Sequence, residues 1–499
     1  MTGDDVTGLR GPVRRGLAWS AVSNIVLKLG NLAFGILLAR LLTPEQFGVY
    51  AVALTLQTVL LTLAYLGLNA DLVRADDPRA RAPTLATLGL VAGATLTTAV
   101  ALGAEPIAAA LGSPEAAPVL AVLSFTLVLA SAGVVPGAML ARRFDQKRLF
   151  LIAAVDMAVY AAVTVILILA EWGQMALAVG RVAAQGAVLV LSFVLAGERP
   201  RFGVDRRLVR SVLAFSLPVA GANILSWALL GIDKLIIVGV AGPEALGYYV
   251  LAFTISTWPM IAVAQTVRSV AMPAFARVSR GARDRSLALA MAPTWAVAVP
   301  AGGMLAVLAV PLVLFVYGST WEPAAELLVP LAIFGGIRIS LDLIATYLLA
   351  RGASVSVLVV QIGWFAVLFI ALLFGMHEFG VTGAAYAHIV VALVVVLPAY
   401  LFVLGRVGAD VSSLVRVAWQ PLAAVLPAAG VAFLLAREMS GPFAALALGG
   451  VAGGTVYAAL IFRWLRRQVL NITTSGLGGL TVSTDSAEHT RLSVAEGDS

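Results

Sequence analysis

The amino-acid sequence predicts an all-α integral membrane protein with about fourteen transmembrane helices. Only 12% of the residues are charged and 61% are hydrophobic, whereas a water-soluble domain carries about 25% charged residues. Apolar runs of about 20 residues, the length that spans a bilayer, recur along most of the chain. Basic residues collect in alternate loops between these runs, as expected when successive loops lie on opposite sides of a membrane.

The apolar runs define the predicted helices in chain order. They are too long and too evenly apolar for the strands of a membrane barrel, so helices are the structure that satisfies the backbone in lipid. The predicted spans are 16–39, 47–69, 84–104, 117–140, 149–170, 174–196, 211–238, 246–267, 288–317, 325–350, 355–376, 380–404, 414–436 and 442–464.

The loop charges predict the orientation of the chain. The arginine-rich loops lie around 10–15, 74–81, 142–148, 199–210, 268–285 and 463–467. Arg351, Arg406 and Arg416 fall on the same side as these loops, and the loops of the other side contain only Arg40 and Arg437 as basic residues. Because positively charged loops stay on the cytoplasmic side, both termini are predicted to lie in the cytoplasm. Only three of the 33 basic residues are lysines, a bias that points to a GC-rich bacterial genome and hence to the bacterial cytoplasmic membrane.

An internal repeat relates the two halves of the chain. The segment LLTPEQFGVYAVAL at 41–54 aligns with VAGPEALGYYVLAF at 240–253, and two further anchors follow in the same order. These anchors pair Leu140-Ala141-Arg142 with Leu349-Ala350-Arg351 and Gly173 with Gly380, which sets Arg181 opposite His388. The alternative is that the shared Pro-Glu-x-x-Gly is only a common turn between helices.

The repeat predicts the domain organisation. Because each copy holds an even number of helices, both copies enter the membrane with the same orientation. We expect two parallel six-helix lobes, at 1–205 and 206–410, related by a pseudo-two-fold axis along the membrane normal. Two additional transmembrane helices follow at 411–468. The segment 469–499 is rich in Ser, Thr and Gly and is predicted to be a disordered cytoplasmic tail.

The sequence contains no recognisable catalytic or metal-binding constellation. It has no cysteine and no Gly-Lys dipeptide, which excludes thiolate sites and a phosphate-binding P-loop. Its three histidines, His377, His388 and His489, lie far apart. The net charge of +7 resides in short loops between apolar runs and therefore does not indicate nucleic-acid binding. We predict a transporter rather than an enzyme, with no catalytic residue, no metal and no cofactor.

Polar residues inside the predicted spans are the candidate site residues. A charge at the bilayer centre costs about 2.5–3.5 kcal/mol, so such residues usually face a cavity or a partner. Lys28 shares one helical face with Asn24 and Asn31. The predicted substrate-binding residues are Asn24, Lys28, Asn31, Arg181, Gln185 and Arg338, and the predicted ion-coupling residues are Asp156, Asp233 and Asp342.

Each candidate also has a structural interpretation. Lys28 could belong to a polar seam between helices. Arg338 and Asp342, four residues apart, could form an ion pair with each other. Asp233 and Lys234 could snorkel to the membrane interface. An arginine partner would explain Asp156 as well as a coupling proton does.

The sequence resembles the polysaccharide-transporter branch of the multidrug/oligosaccharidyl-lipid/polysaccharide exporter superfamily. The segments GLAWSAVSNIVLKLGNLAFGILLARLLTPEQFGVYAVAL at 16–54, MLARRFDQKRL at 139–149, FSLPVAGANILSWALLGIDKLIIVGVAGPEALGYYVLAF at 215–253 and MPAFARVSR at 272–280 carry the resemblance. They are similar to lipopolysaccharide and colanic-acid exporters.

The resemblance implies a function and partners. It implies two lobes around a central cavity that flip a polyprenyl-pyrophosphate-linked oligosaccharide by alternating access. From their depth in the membrane and their helical faces, we expect Lys28 in the first lobe and Arg338 in the second to face that cavity. The partners implied by the resemblance are the lipid-linked oligosaccharide, membrane lipids, and polysaccharide polymerase and glycosyltransferase enzymes. The alternatives are a lipid II flippase for peptidoglycan and a cation-coupled drug exporter of the same superfamily. The drug exporters usually have twelve helices, so the terminal helix pair argues against that alternative.

Overall fold

The computed structural model describes residues 26–65, 68–75, 77–143, 145–199, 201–277 and 285–477. All regular secondary structure in these ranges is helical. The helices are α1 (26–41), α2 (Pro44–Tyr65), α3 (Leu68–Arg74), α4 (Pro78–Leu102), α5 (Ala104–Ala110), α6 (Ala117–Ala132), α7 (Val134–Arg142), α8 (Gln146–Leu169), α9 (Gln174–Ala196), α10 (Arg206–Arg277), α11 (Ser286–Val307), α12 (Ala309–Val316), α13 (Glu322–Ala350), α14 (Ser354–Val391), α15 (Leu397–Val407), α16 (Val411–Glu438) and α17 (Pro442–Leu477).

The predicted all-α membrane class is confirmed by this architecture. Within the described residues, 11 stretches are long and apolar enough to cross a membrane. The predicted total of fourteen stays a prediction, partly because the first helix is described only from residue 26. A second reason is that Ser354–Val407 forms one stretch of 54 residues, although Gly380 breaks its helical geometry. Residues 478–499 of the predicted tail lie outside the described ranges, and α17 itself continues to Leu477.

Several helix boundaries differ from the predicted ones for local reasons. Helix α4 begins at Pro78 rather than at 84, because the Asp77 side chain accepts hydrogen bonds from the backbone N–H groups of Arg79 and Ala80. An aspartate cap followed by proline is a strong start signal even within a charged loop. The predicted span 117–140 divides at Gly133 into α6 and α7. The predicted span 288–317 likewise divides at Leu308 into α11 and α12.

The order of local structures repeats along the chain. The short helix α5 is followed by Gly112 (φ 77°), a 3-10 turn at Pro114–Ala116 and then α6. The short helix α12 is followed by Gly318 (φ 96°), a 3-10 turn at Ser319–Trp321 and then α13. This agreement favours a duplicated unit over a chance match of one turn motif.

The predicted equivalents Gly173 and Gly380 share one unusual backbone conformation. Gly173 has φ 51° and ψ −132°, and Gly380 has φ 62° and ψ −152°. Residues with a side chain are essentially excluded from this region. Each glycine stands between two long apolar helical segments, so each sets the turn between a pair of spans.

The chain divides into two compact units. The first takes in the described residues as far as Leu251, together with Val316–Ala324 and Phe369–Ala384. The second consists of Ala252–Phe315, Ala325–Leu368 and the described residues from Ala385 onward. These units are not cut at residues 205 and 410, and the predicted lobe boundaries stay a prediction.

Within the first unit, the two Pro-Glu-x-x-Gly motifs pack directly against each other. A Cβ atom on Gly48 would overlap the carbonyl oxygen of Pro243, and a Cβ atom on Gly247 would overlap the carbonyl oxygen of Pro44. The contact is reciprocal between positions that the repeat makes equivalent, as expected around a local two-fold axis. Two glycines thus allow two helix backbones to approach closely.

A second reciprocal contact in the first unit involves the end of α1. The indole N–H of Trp321 donates to Ala39 O at 2.5 Å, and Arg40 Nε donates to Val316 O at 2.7 Å. The equivalents of Ala39 and Arg40 are Val238 and Gly239, and these lie against Gly112. The loop of each repeat therefore packs on a helix of the other.

Candidate functional site

The most informative intramembrane group in the first unit is an ion pair between α8 and α9. Arg181 Nη1 lies 3.1 Å from Asp156 Oδ1 and 3.0 Å from Asp156 Oδ2. Asp156 lies about 15 Å along α8 and Arg181 about 10 Å along α9 from their first residues, given a rise of about 1.5 Å per residue. The hydrocarbon core is about 30 Å thick, so both charges lie deep within it. The two side chains are 30% and 27% exposed, so the pair is not sealed in the protein.

Aromatic rings surround this ion pair. The guanidinium carbon of Arg181 lies 5.8 Å from the centre of the Tyr160 ring. The Tyr160 hydroxyl lies 3.1 Å from the Tyr50 hydroxyl on α2, and the ring of Phe34 on α1 meets the Tyr160 ring edge-on at 5.0 Å. Four helices therefore contribute to one cluster, which we call the Arg181 cluster: Phe34, Tyr50, Asp156, Tyr160 and Arg181.

The geometry of the ion pair leaves part of the guanidinium unused. Both bonds to Asp156 come from Nη1, although arginine has five N–H donors in a fixed fork. Among the described residues, no hydrogen bond from Arg181 Nη2 or Nε is recorded. A planar edge with unused donors is suited to phosphate oxygens or sugar hydroxyls. The Tyr160 face beside it offers a surface on which an apolar sugar face can lie.

The predicted residues of α1 fall into two groups. Asn24 lies outside the described residues, whereas Lys28 and Asn31 are described and have exposed side chains. Helix α1 packs closely on α8 beside this face, because a Cβ atom on Gly30 would lie 2.5 Å from Met157 Sδ. Met157 follows Asp156 in sequence, so α1 is a direct neighbour of the helix that carries the ion pair.

Three further candidates are half-buried. Gln185 lies on α9 one turn after Arg181, and Arg338 and Asp342 lie on α13 in the second unit. The ion pairs recorded within the described ranges include none between Arg338 and Asp342. Their roles in binding and ion coupling stay predictions, as does the self-paired alternative.

Asp233 is a buried acid rather than an interfacial one. Its side chain is 3% exposed, and it accepts hydrogen bonds from the Tyr249 hydroxyl at 2.7 Å and from the Lys234 backbone N–H at 2.9 Å. The suggestion that Asp233 snorkels to the interface is wrong, because a fully buried tyrosine binds its carboxylate inside the protein. Its predicted ion-coupling role stays a prediction.

The repeat-equivalent of Arg181 has a different environment. His388 is 6% exposed and packs against Phe334, with ring centres 4.9 Å apart, and near Phe253 at 6.5 Å. One repeat therefore carries an ion pair at this position and the other an aromatic cluster. The two copies of the repeat have therefore diverged at this position.

The two tyrosines of the Arg181 cluster were not among the residues predicted from the sequence. An arginine partner was one of the two interpretations of Asp156, and the structure identifies that partner as Arg181. One usable signal existed, since Asp156 and Tyr160 are four residues apart and share a helical face. The pairing across α8 and α9 has no such signal, because it depends on how two separate helices rotate against each other.

Comparison with known proteins places these observations in a family. The model of the polysaccharide biosynthesis protein family matches residues 37–326, more than half of the chain. The chain is 28% identical to the succinoglycan biosynthesis transport protein ExoT of Rhizobium meliloti over 92% of this chain and 95% of that protein. It is 23% identical to the lipopolysaccharide biosynthesis protein WzxC of Escherichia coli, over 87% of this chain and 90% of that protein.

A solved structure shares the fold. The lipid II flippase MurJ, in an inward closed conformation, superposes with a TM-score of 0.75 at 14% identity, covering 90% of this chain and 99% of that one. At this identity the likeness concerns the fold alone. The resemblance predicted from the sequence is confirmed by the family model and the relatives. The chain belongs to the polysaccharide biosynthesis protein family.

Proposed function

We propose that this protein is a flippase that moves a polyprenyl-pyrophosphate-linked oligosaccharide, a precursor of a surface polysaccharide, across the bacterial cytoplasmic membrane. It acts by alternating access, as a transporter and not as an enzyme. Family membership supports this function, as does the similarity to relatives named for succinoglycan transport and lipopolysaccharide biosynthesis. The observation that carries the proposal is the partly exposed Asp156–Arg181 pair, with its unused guanidinium edge beside Tyr160.

The chemistry of this substrate matches the Arg181 cluster. A pyrophosphate diester is anionic at neutral pH, and the unused N–H groups of Arg181 bind its oxygens. Sugars combine hydroxyl groups with apolar ring faces, which suit the half-buried Tyr160. Tyr50 is buried and positions Tyr160 through the contact between their hydroxyls. Lys28 and Asn31 on α1 and Gln185 on α9 extend this polar surface. Arg338 on α13 is the other proposed substrate-binding residue.

Asp156 has two roles in this proposal. In the absence of substrate it balances the charge of Arg181, because an unpaired cation in the membrane is costly. Its second role is the proposed ion coupling, because Asp156 competes with an anionic substrate for the guanidinium of Arg181. Asp233 and Asp342 are the other proposed coupling residues.

Orientation and partners follow from the same proposal. The arginine-rich loops lie on the cytoplasmic side, with both termini there. Glycosyltransferases build the substrate on that side, and a polysaccharide polymerase uses it on the other. A lipid II flippase is the alternative, and the fold likeness to MurJ does not distinguish the two.

The test is deletion of the gene followed by complementation. We expect deletion to abolish the surface glycan and to cause accumulation of its lipid-linked precursor in the inner leaflet. Arg181→Gln should export at least about tenfold less at an equal protein level, because hydrogen bonds to charged groups contribute about 1.5–3 kcal/mol each. Lys147→Gln, which removes one exposed charge at the start of α8, is the matched control and should complement fully.

Two results would contradict the proposal. One is an intact surface glycan after deletion, and the other is full export by Arg181→Gln at wild-type level. Accumulation of lipid II with loss of viability would support the peptidoglycan alternative instead.

A further inference from the structure

A cavity of about 680 Å³ lies at the arginine-rich end of the first unit, away from the Arg181 cluster. Its walls come from the start of α4, from α7, from the end of α9 and from the segment after α9. Along α9, the lining residue Phe193 is twelve residues beyond Arg181, or about 18 Å. The volume is within the range of about 300–1,000 Å³ that is typical of ligand sites.

The charges around this cavity are strongly unbalanced. Four arginines line it, Arg79, Arg143, Arg199 and Arg201, together with one carboxylate, Glu198. Arg143 already has protein partners, since Nη2 lies 3.1 Å from Glu198 Oε1 and Nη1 donates to Ala196 O at 2.8 Å. No ion pair of Arg79, Arg199 or Arg201 is recorded in the part of the chain that the structure describes. Three exposed guanidinium groups therefore share one cavity, and among the described residues its one lining carboxylate already pairs with Arg143.

The remaining wall is apolar. Val135 and Met139 of α7 and Phe193 of α9 line it, and Phe202 stands beside the arginines with 61% of its surface exposed. A soluble anion would use the arginines and leave this apolar wall bare. An amphiphile with a phosphate headgroup would use both, and aromatic rings at this level are typical of the membrane interface.

The segment that carries two of the arginines is fixed to α4. Thr87 Oγ1 donates to Gly203 O and accepts from Gly203 N, both at 3.0 Å, and Thr84 Oγ1 accepts from Asp205 N at 3.1 Å. Gly203 and Asp205, which follow Arg201 closely in sequence, are therefore held against α4, the helix that carries Arg79.

We propose that this cavity binds the phosphate headgroup of an anionic membrane phospholipid, with Arg79, Arg199 and Arg201 as the binding residues and the apolar wall against the lipid's glycerol and acyl region. Basic pockets between transmembrane helices on the cytoplasmic side are suited to such headgroups. Arginine is the appropriate residue because its fork matches two phosphate oxygens. The lipid bridges α4 to the segment that joins the two repeats.

The test measures lipid binding to the purified full-length protein in detergent, without a transport assay. Native mass spectrometry and thermal unfolding are followed during titration with phosphatidylglycerol, cardiolipin or the zwitterionic phosphatidylethanolamine. We expect the anionic lipids to remain bound and to raise the melting temperature, and phosphatidylethanolamine to do neither. The triple variant Arg79→Gln/Arg199→Gln/Arg201→Gln should bind phosphatidylglycerol at least about tenfold more weakly.

Controls make the result specific. The triple variant Arg463→Gln/Arg466→Gln/Arg467→Gln removes the same charge from exposed positions of α17 and should bind anionic lipid like the wild type. Arg79→Lys/Arg199→Lys/Arg201→Lys keeps the charge and should bind with intermediate affinity. Melting curves without lipid show that each variant is folded. If the triple variant of the cavity arginines unfolds, the single variant Arg201→Gln replaces it.

Three outcomes would overturn the proposal. In the first, the cavity variant binds phosphatidylglycerol as the wild type does. In the second, the control variant loses as much affinity as the cavity variant, which would mean general charge attraction. In the third, inorganic phosphate or pyrophosphate stabilises the protein as well as the lipids do, which would mean a site for a soluble anion. A failure of glycan export does not affect any of these readouts.

Discussion

At the scale of single residues, the two aspartates of the first unit have different environments. Asp156 is 27% exposed and bonds to an arginine whose Nη2 and Nε have no hydrogen-bond partner among the described residues. Asp233 is 3% exposed and bonds to a tyrosine that is fully buried. The first arrangement is open to a substrate or a proton, whereas the second holds two parts of α10 together across Gly242. We therefore expect substitutions of Asp156 to affect transport and substitutions around Asp233 to affect stability first.

Tyr249→Phe tests the buried arrangement. Removing the hydroxyl leaves the Asp233 carboxylate without one of its donors in a buried site, which costs about 1–3 kcal/mol. We expect a lower melting temperature for the purified protein. The control is Tyr248→Phe, which removes a hydroxyl that donates to Glu244 at the surface, at 3.1 Å, and should change the melting temperature little. Equal melting temperatures for the two variants would contradict the structural role of Tyr249.

Lys28→Ala tests the substrate-binding prediction on α1. The side chain is exposed, so its removal should leave the protein level and the melting temperature unchanged while export of the glycan falls. Export is measured as surface glycan in the complemented deletion strain. A fall in protein level with unchanged export per molecule would support a polar seam between helices instead.

At the scale of helices, the reciprocal glycine contacts are the main packing feature of the first unit. Alanine usually stabilises a helix relative to glycine by about 0.5–1 kcal/mol. At Gly48 and Gly247 the added Cβ would overlap a carbonyl oxygen of the opposite motif. Alanine is therefore expected to destabilise the protein at these two positions. The glycine of each Pro-Glu-x-x-Gly motif therefore allows the two helices to pack closely.

Gly48→Ala and Gly247→Ala are expected to destabilise the protein to a similar extent, because the two contacts are reciprocal. The control is Gly186→Ala on α9, where no atom lies within 4 Å of the added Cβ and a neutral or stabilising effect is expected. Melting temperatures in detergent and protein levels in membranes measure the effect. A destabilising effect at Gly186 alone would contradict the packing that we describe.

At the scale of the whole molecule, the charge asymmetry of the loops predicts which side each loop occupies. The chain has no cysteine, so one introduced cysteine is a unique label. Glu115→Cys should react with a membrane-impermeant maleimide in intact spheroplasts, whereas Lys147→Cys should react only after permeabilisation; both side chains are exposed. The reverse pattern would place both termini outside the cytoplasm and would contradict the predicted orientation.

The sequence by itself determined the class of protein, the approximate positions of most apolar helices and the anchors of the repeat. These features depend on local composition and on spacing along one chain, because an apolar run of sufficient length spans the bilayer as a helix. The equivalence of Gly173 and Gly380, inferred from alignment, recurs as one backbone conformation at both positions. Face assignments within one helix, such as that of Arg181 with Gln185, follow from the helical period alone.

Only the tertiary structure decided which helices meet and which polar groups become partners. Asp156 and Arg181 are 25 residues apart, and Asp233 and Tyr249 lie on either side of Gly242. No spacing rule connects such residues, because the rotation of each helix about its axis is set by close packing with its neighbours. The same packing brings Arg79, Arg143, Arg199 and Arg201 to one cavity from three separate parts of the chain. In lipid the hydrophobic effect does not choose between apolar faces, so close backbone contacts such as Gly48 with Pro243 make that choice.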